Sequence, residues 1–458
     1  MSSPVDLLIR DALLVAAVDA RRAEIPGGWV AITDGLIVGV GESGSEPEAI
    51  KTISASGCLV TPGLINTHHH IYQNLTRAYG PALDGNLFHW LTTLYPKWAR
   101  LDEEGAYISA WIGLAELAES GCTTSTDHLY VHPQGAGDLL SAEITAAQEL
   151  GVRFHPTRGS MSLSEKDGGL PPDHVVQDDD TILAESEEAV ARHHDRSHGA
   201  MVRVALAPCS PFSVTPELMT RTAELAERLD VRLHTHLAED IDEDDYCMTT
   251  FGRRPIDHFE HCGWGTDRSW IAHCVQPNAD EILRLGQWGT GVAHCPSSNM
   301  ILGTGVAPVR QMRQAGVSVG LGCDGSASAD SASMWTEARN AMLSGRLKGF
   351  LDGTRLLHSA RDSLEMATRD GATCLGRSGE LGELAVGAVG DVAIWRLEGF
   401  KFAGALLDPI EAWMRCGPMG AETTIVAGNV IVSDGSLVSE ATEERLAQHR
   451  EVAARMQA

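Results

Sequence analysis

The chain has 458 residues, 35 Lys and Arg against 62 Asp and Glu, a formal charge of -27 and 43% apolar residues. That length suits one large α/β domain with an appendage or two to three small domains. The acidic excess argues against nucleic acid and anionic membrane surfaces as partners. No apolar run approaches the ~18 residues of a membrane span, and Asp6, Arg10, Asp11 and Asp19 interrupt what would be a signal-peptide core. The expectation is a cytoplasmic, enzyme-sized protein. Its ten cysteines are scattered without a C-x-x-C pair, so they read as buried small hydrophobes rather than a disulfide scaffold.

The first ~60 residues alternate short apolar strands with Gly, Asp and Pro turns, as in LLIRDALLVA, GGWVAITDGLIVGVG and TISASGCLVTPG. The far end looks alike, with GELAVGAVGDVAIWRL and TTIVAGNVIVSDGSLV. A lone hairpin is marginal in water, so the two ends are expected to pair. The prediction is a small β-sandwich from residues 1–60 plus 377–440, a central body over 61–376 and a C-terminal helix over 441–458.

Within the body stand eight apolar runs: 63–70, 123–128, 152–158, 201–210, 231–239, 269–274, 290–299 and 317–326. Helical patterns such as AYISAWIGLAELAES, AEITAAQELG, PELMTRTAELAERLD and ADEILRLGQWG fill the gaps between them. Eight β-then-α units predict a (β/α)8 barrel of the TIM type. An open doubly wound sheet would carry a Gly-rich phosphate loop after its first strand, where this chain has His68-His69-His70.

Catalytic groups of such barrels sit at the C-terminal strand ends, here His70, His128, Arg158, Cys209, His236, His273, His294 and Asp324. Side chains alternate along a strand, so His68 and His70 share a direction and His69 points away. By the same alternation His234 and His236 share a face, and His236, nearer the strand end, is the better ligand candidate. Three imidazoles and the Asp324 carboxylate suit a borderline divalent ion such as Zn²⁺. One ion per chain is expected, because Lys51, Lys97, Lys166, Lys348 and Lys401 all lie off the middle strands, where a bridging carboxylated lysine would be needed. Glu239, three residues past His236, is placed to act as general acid and base, while Asp240 to Asp245 read as solvated surface.

The segments VTPGLINTHHH, THLAE, AHC and GCDGSASAD resemble the amidohydrolase superfamily, in its branch of mononuclear aromatic deaminases and triazine hydrolases, over essentially the whole chain. NTHHHIYQNLTRAYGP, TRGSMSLSEKDGGLPPD and HCPSSNMIL are similar to the 8-oxoguanine deaminases of that branch. The resemblance implies zinc ligation by His68, His70, His236 and Asp324, with Glu239 as proton shuttle and His273 positioning the water. It implies hydrolysis of the exocyclic amine of 8-oxoguanine to urate and ammonia, and a homo-oligomer.

Gln73, Trp90, His128, Arg158 and Cys209 are the candidate contacts to a neutral heteroaromatic base. Isocytosine, guanine and pterin deamination, triazine hydrolysis and an inactive metal-binding scaffold are the alternatives left open.

Overall fold

Each of the eight apolar runs becomes a strand of one closed, all-parallel barrel: Leu64–Asn66, Cys122–Leu129, Arg153–Ser160, Ala205–Pro208, Leu233–Leu237, Ser269–His273, Gly291–His294 and Val319–Leu321. The computed structural model describes residues 3–355 and 357–458; residues 1 and 2, which fall in the expected sandwich, lie outside them. The strands follow one another around the barrel, and the eighth closes on the first through Leu321 opposite Asn66. They are buried along their length, which is why they read as near-continuous apolar runs.

The helices between strands begin and end where the residue chemistry dictates. Asn278 and Glu281 form a reciprocal capping box ahead of Ala279–Trp288, and Gly289 closes that helix in the left-handed region at φ 72°. Thr215 caps Pro216–Leu229 with its hydroxyl on the Leu218 N–H, and Pro216 takes the first position, where no N–H is needed.

Both ends of the chain meet in a seven-stranded sheet, because Val392–Arg396 pairs antiparallel with Cys58–Pro62. A four-stranded N-terminal sheet packs on it through a shared core that includes Ile9, Ile32, Val60, Val392 and Ile425. Arg153 at the barrel floor makes two bonds to Asp391, at 3.0 and 3.1 Å, and so ties sandwich to barrel. The last helix, Thr442–Gln457, returns to the mouth side, where His449 Nε2 lies 2.8 Å from Asn74 Oδ1. Among the described residues no helix is long and apolar enough to cross a membrane.

Candidate metal centre and substrate cavity

His68 and His70, from the segment after the first strand, and His236, from the fifth, converge inside the barrel mouth. His70 Nε2 lies 2.9 Å from His236 Nε2, and Asp324 Oδ1 lies 3.4 Å from His68 Nε2 and 3.3 Å from His70 Nε2. Burial, reinforced by the neighbouring imidazoles, pushes all three histidines down. Burial would raise Asp324, but the imidazoles around it, His68 first and then His273 and His70, hold its carboxyl well below the usual carboxylate range.

This donor set fits a zinc ion on two grounds. Donors about 2.1 Å from a tetrahedral centre stand about 3.4 Å apart, close to the spacings here. The imidazoles are also held in the required tautomer. His70 Nδ1 donates to the His128 carbonyl at 2.8 Å and His236 Nδ1 to the Cys209 carbonyl at 2.7 Å, which leaves both Nε2 lone pairs facing inward. His68 Nε2 is buried without a partner. His69 stands apart from the cluster and receives the His70 N–H on Nδ1.

Two further groups stand over the cluster. His273 donates from Nδ1 to Asn299 Oδ1 at 2.9 Å, so its Nε2 faces Glu239 Oε2 at 3.6 Å and Asp324 Oδ2 at 3.9 Å. Burial works against protonation of His273, yet those two carboxyls raise it above its ordinary value. Burial pushes Glu239 up to about 7, and its Oε1 has no partner. Ala238, His273 and Asp324 all adopt left-handed backbone, at φ 53°, 68° and 59°, which non-glycine residues do at a cost.

A cavity of about 390 Å³ opens over these groups. Leu87, Trp90, Leu91 and Tyr95 of the helix Leu87–Trp98 roof it, Phe212 and Leu302 close its sides, and among the described residues no Arg or Lys lines it. Gln73 and Cys209 line it as expected. The Gln73 amide packs on Gly325, where a Cβ would fall 1.7 Å from Oε1, and that oxygen has no partner. Trp90 is anchored by its N–H on the Ala327 carbonyl at 3.2 Å.

Three expectations need correction. Arg158 does not reach the cavity: along Arg153–Ser160 the odd-numbered His155 approaches the inward Trp270, whereas Phe154 and Arg158 point outward. The guanidinium binds Glu185 and Gln177 in a separate pocket beside His132 and Arg192. Position at a strand end had suggested the mouth; alternation decided otherwise.

His128 lies among the clustered histidines rather than in the cavity, with its ring stacked 4.8 Å from that of His236 and Nε2 on the Ala207 carbonyl. The run Asp240 to Asp245 is not all surface, because it forms the start of a helix, Ile241–Phe251, capped by Asp240. Glu243 in that first turn is 1% exposed and Asp244 pairs with Arg254.

Residues that sequence reasoning missed are Tyr130 in the cavity wall, Asn299 behind His273, and Glu243. The only sequence signal for Glu243 was its spacing of four from Glu239, one helical turn.

The amidohydrolase family pattern matches residues 59–431. The chain is 47% identical to 8-oxoguanine deaminase from Pseudomonas aeruginosa over 442 residues, 96% of this chain and 97% of that protein. It is 37% identical to hydroxydechloroatrazine ethylaminohydrolase from Pseudomonas sp. strain ADP, over 94% of this chain and 87% of the other. The zinc complex of atrazine chlorohydrolase from Arthrobacter aurescens TC1 matches with a TM-score of 0.92 at 32% identity, covering 98% of this chain and 100% of that one. The chain belongs to the amidohydrolase family.

Proposed function

We propose that the chain is a zinc-dependent aminohydrolase that removes the exocyclic amine of a neutral heteroaromatic base, 8-oxoguanine foremost, giving urate and ammonia. The observation that carries this reading is the meeting of Glu239, His273 and Asp324 over the histidine cluster, in a cavity lined by no Arg or Lys. The whole-length likeness to 8-oxoguanine deaminase supports the choice of ring.

One zinc ion per chain, held by His68, His70, His236 and Asp324, would when bound lower the pKa of water toward ~7 and so supply a nucleophile at neutral pH. The chain's own residues do the rest. His273, fixed by Asn299, orients the water through Nε2, and Asp324 Oδ2 takes up its proton. Glu239, whose carboxyl is pushed up to about 7, carries a proton to the ring nitrogen beside the attacked carbon. The carbon–nitrogen bond then breaks: the amine takes the proton held by Asp324 and leaves as ammonia, while the carbon keeps the water's oxygen as a carbonyl and the last hydroxyl proton returns to Glu239. Gln73 Oε1 is an acceptor for a ring N–H, and Trp90 covers the ring face.

The test is ammonia release from 8-oxoguanine, isocytosine, guanine, isoxanthopterin and a hydroxylated aminotriazine under one condition. The highest kcat/KM is expected for 8-oxoguanine. Isocytosine should be an acceptable smaller substrate, and guanine a poor one because it leaves buried polar groups unpaired. Guanine equalling 8-oxoguanine would remove the narrow assignment, a triazine in first place would move it to that branch, and silence on all five with zinc retained would favour a metal-binding scaffold.

A further inference from the structure

We infer that Glu243 is a positioning residue: its carboxylate grips the turn that carries Glu239 and thereby sets where the Glu239 carboxyl stands against His273. The inference rests on the proposed role of Glu239 as proton carrier.

Glu243 Oε1 accepts the Ala238 N–H at 3.0 Å, and Oε2 accepts the Glu239 N–H at 2.8 Å. One carboxylate thus spans two consecutive amides of a turn whose first residue, Ala238, is left-handed at φ 53°. The other side of the same turn is gripped too, since the Ala238 carbonyl accepts the N–H groups of Val275, at 2.8 Å, and Gln276, at 2.9 Å. Those two residues directly follow His273 and Cys274, which are themselves left-handed at φ 68° and 48°. Two strained turns, one after the fifth strand and one after the sixth, are therefore locked to each other through Ala238. They carry Glu239 and His273, which face one another at 3.6 Å. Strain of this kind persists only where the surroundings over-determine it, and Glu243 supplies two of the bonds that do so.

Stability does not account for this residue. Glu243 is 1% exposed, and among the described residues no Arg or Lys forms an ion pair with it. A buried carboxyl without a counter-ion is a burden on the fold. Both of its contacts fall on the turn that leads to Glu239, so its use is geometric.

The experiment compares Glu243→Gln and Glu243→Ala with the unaltered chain and with Glu239→Gln, using 8-oxoguanine as substrate. Misplacing a reacting group by about 1 Å costs on the order of 10²-fold. For Glu243→Gln, kcat is expected to fall by about 10- to 100-fold, with KM within about threefold, zinc content unchanged and the thermal midpoint unchanged or raised. Glu243→Ala, lacking both acceptors, is expected to lose more, and its crystal structure to show Ala238 out of the left-handed region and Glu239 displaced.

The inference is overturned if both variants keep kcat within about twofold, or if Glu239 stands unmoved in the Glu243→Ala structure. It is also overturned if both variants lose zinc and thermal stability together, the mark of a merely structural residue. An active Glu239→Gln, or no turnover by the unaltered chain, counts against the proposed function instead; the crystallographic position of Glu239 then decides this inference alone.

Discussion

His68 Nδ1 lies 2.7 Å from His234 Nε2, and His234 Nδ1 in turn lies 2.8 Å from the Trp270 carbonyl. The carbonyl can only accept, so His234 donates from Nδ1 and accepts on Nε2, and His68 must donate from Nδ1. Its Nε2 lone pair is then free for a metal. Replacing His234 by Phe removes the acceptor without touching a ligand. Zinc affinity measured by competition with a chelator is expected to weaken by about 10- to 100-fold, the usual cost of losing such a partner. Unchanged affinity would show that the barrel strand alone orients His68.

One ion per chain is the expectation, because among the described residues the lining of the cavity holds no lysine that could bridge a second ion. Metal analysis of the purified chain should find about one zinc per chain, and stripping it with a chelator should abolish ammonia release until zinc is restored. Two tightly bound ions per chain would refute this count.

Glu239→Gln keeps the size of the side chain but removes the proton it carries. Activity should drop by ~10² or more, the scale on which general acid and base groups contribute, while zinc content and thermal midpoint stay as they were. An active variant would pass the proton-carrying role to His273.

A second pair of carboxyls, Asp127 and Glu143, is wholly buried behind the mouth, where Asp127 Oδ1 accepts the Ile71 N–H at 2.6 Å. Burial pushes Asp127 up to about 8, and burial together with the Asp127 charge raises Glu143 well above its ordinary value. Both acids hold protons in the fold that they lose in the unfolded chain. Their contribution is thus full below about pH 4, the unfolded range, and is lost as pH rises through about 8. Glu143→Gln takes one of these groups out of the balance. Its thermal midpoint relative to the unaltered chain should therefore improve steadily from pH 5 to pH 9. A difference that does not change with pH would mean that the pair does not share protons in this way.

The roof of the cavity meets acidic side chains at its edge: Asn86, which caps the helix Leu87–Trp98, lies 3.4 Å from Asp242. Among the described residues no Arg or Lys lines the cavity, so a dianionic phosphate finds no counter-charge there and meets the Asp242 carboxylate at the edge. The free base is expected to exceed its 5'-nucleotide in kcat/KM by about tenfold or more. Comparable values would place the entrance elsewhere.

The barrel and the histidines that gather at its mouth were legible along the chain because they rest on local periodicity. Eight buried parallel strands must each read as a short apolar run, and the two-residue alternation that separates His68 and His70 from His69 is a property of any strand. The same alternation would have turned Arg158 away from the mouth had it been applied there, since it lies one residue out of phase with His155.

What no run of residues discloses is which groups meet from distant segments. Glu243 looked like one of five acids in a solvated stretch, and only the packing of its helix start against the Ala238 turn buries it. His234 became a support rather than a ligand because His68, 166 residues away, places a nitrogen at its ring. Asn299 and Tyr130 likewise gain their places from contacts between the ends of neighbouring strands. Backbone pattern follows from short-range sterics and burial, which the order of residues already contains; the partners of a polar side chain follow from closure of the barrel, which brings strands from opposite ends of the chain within hydrogen-bond reach.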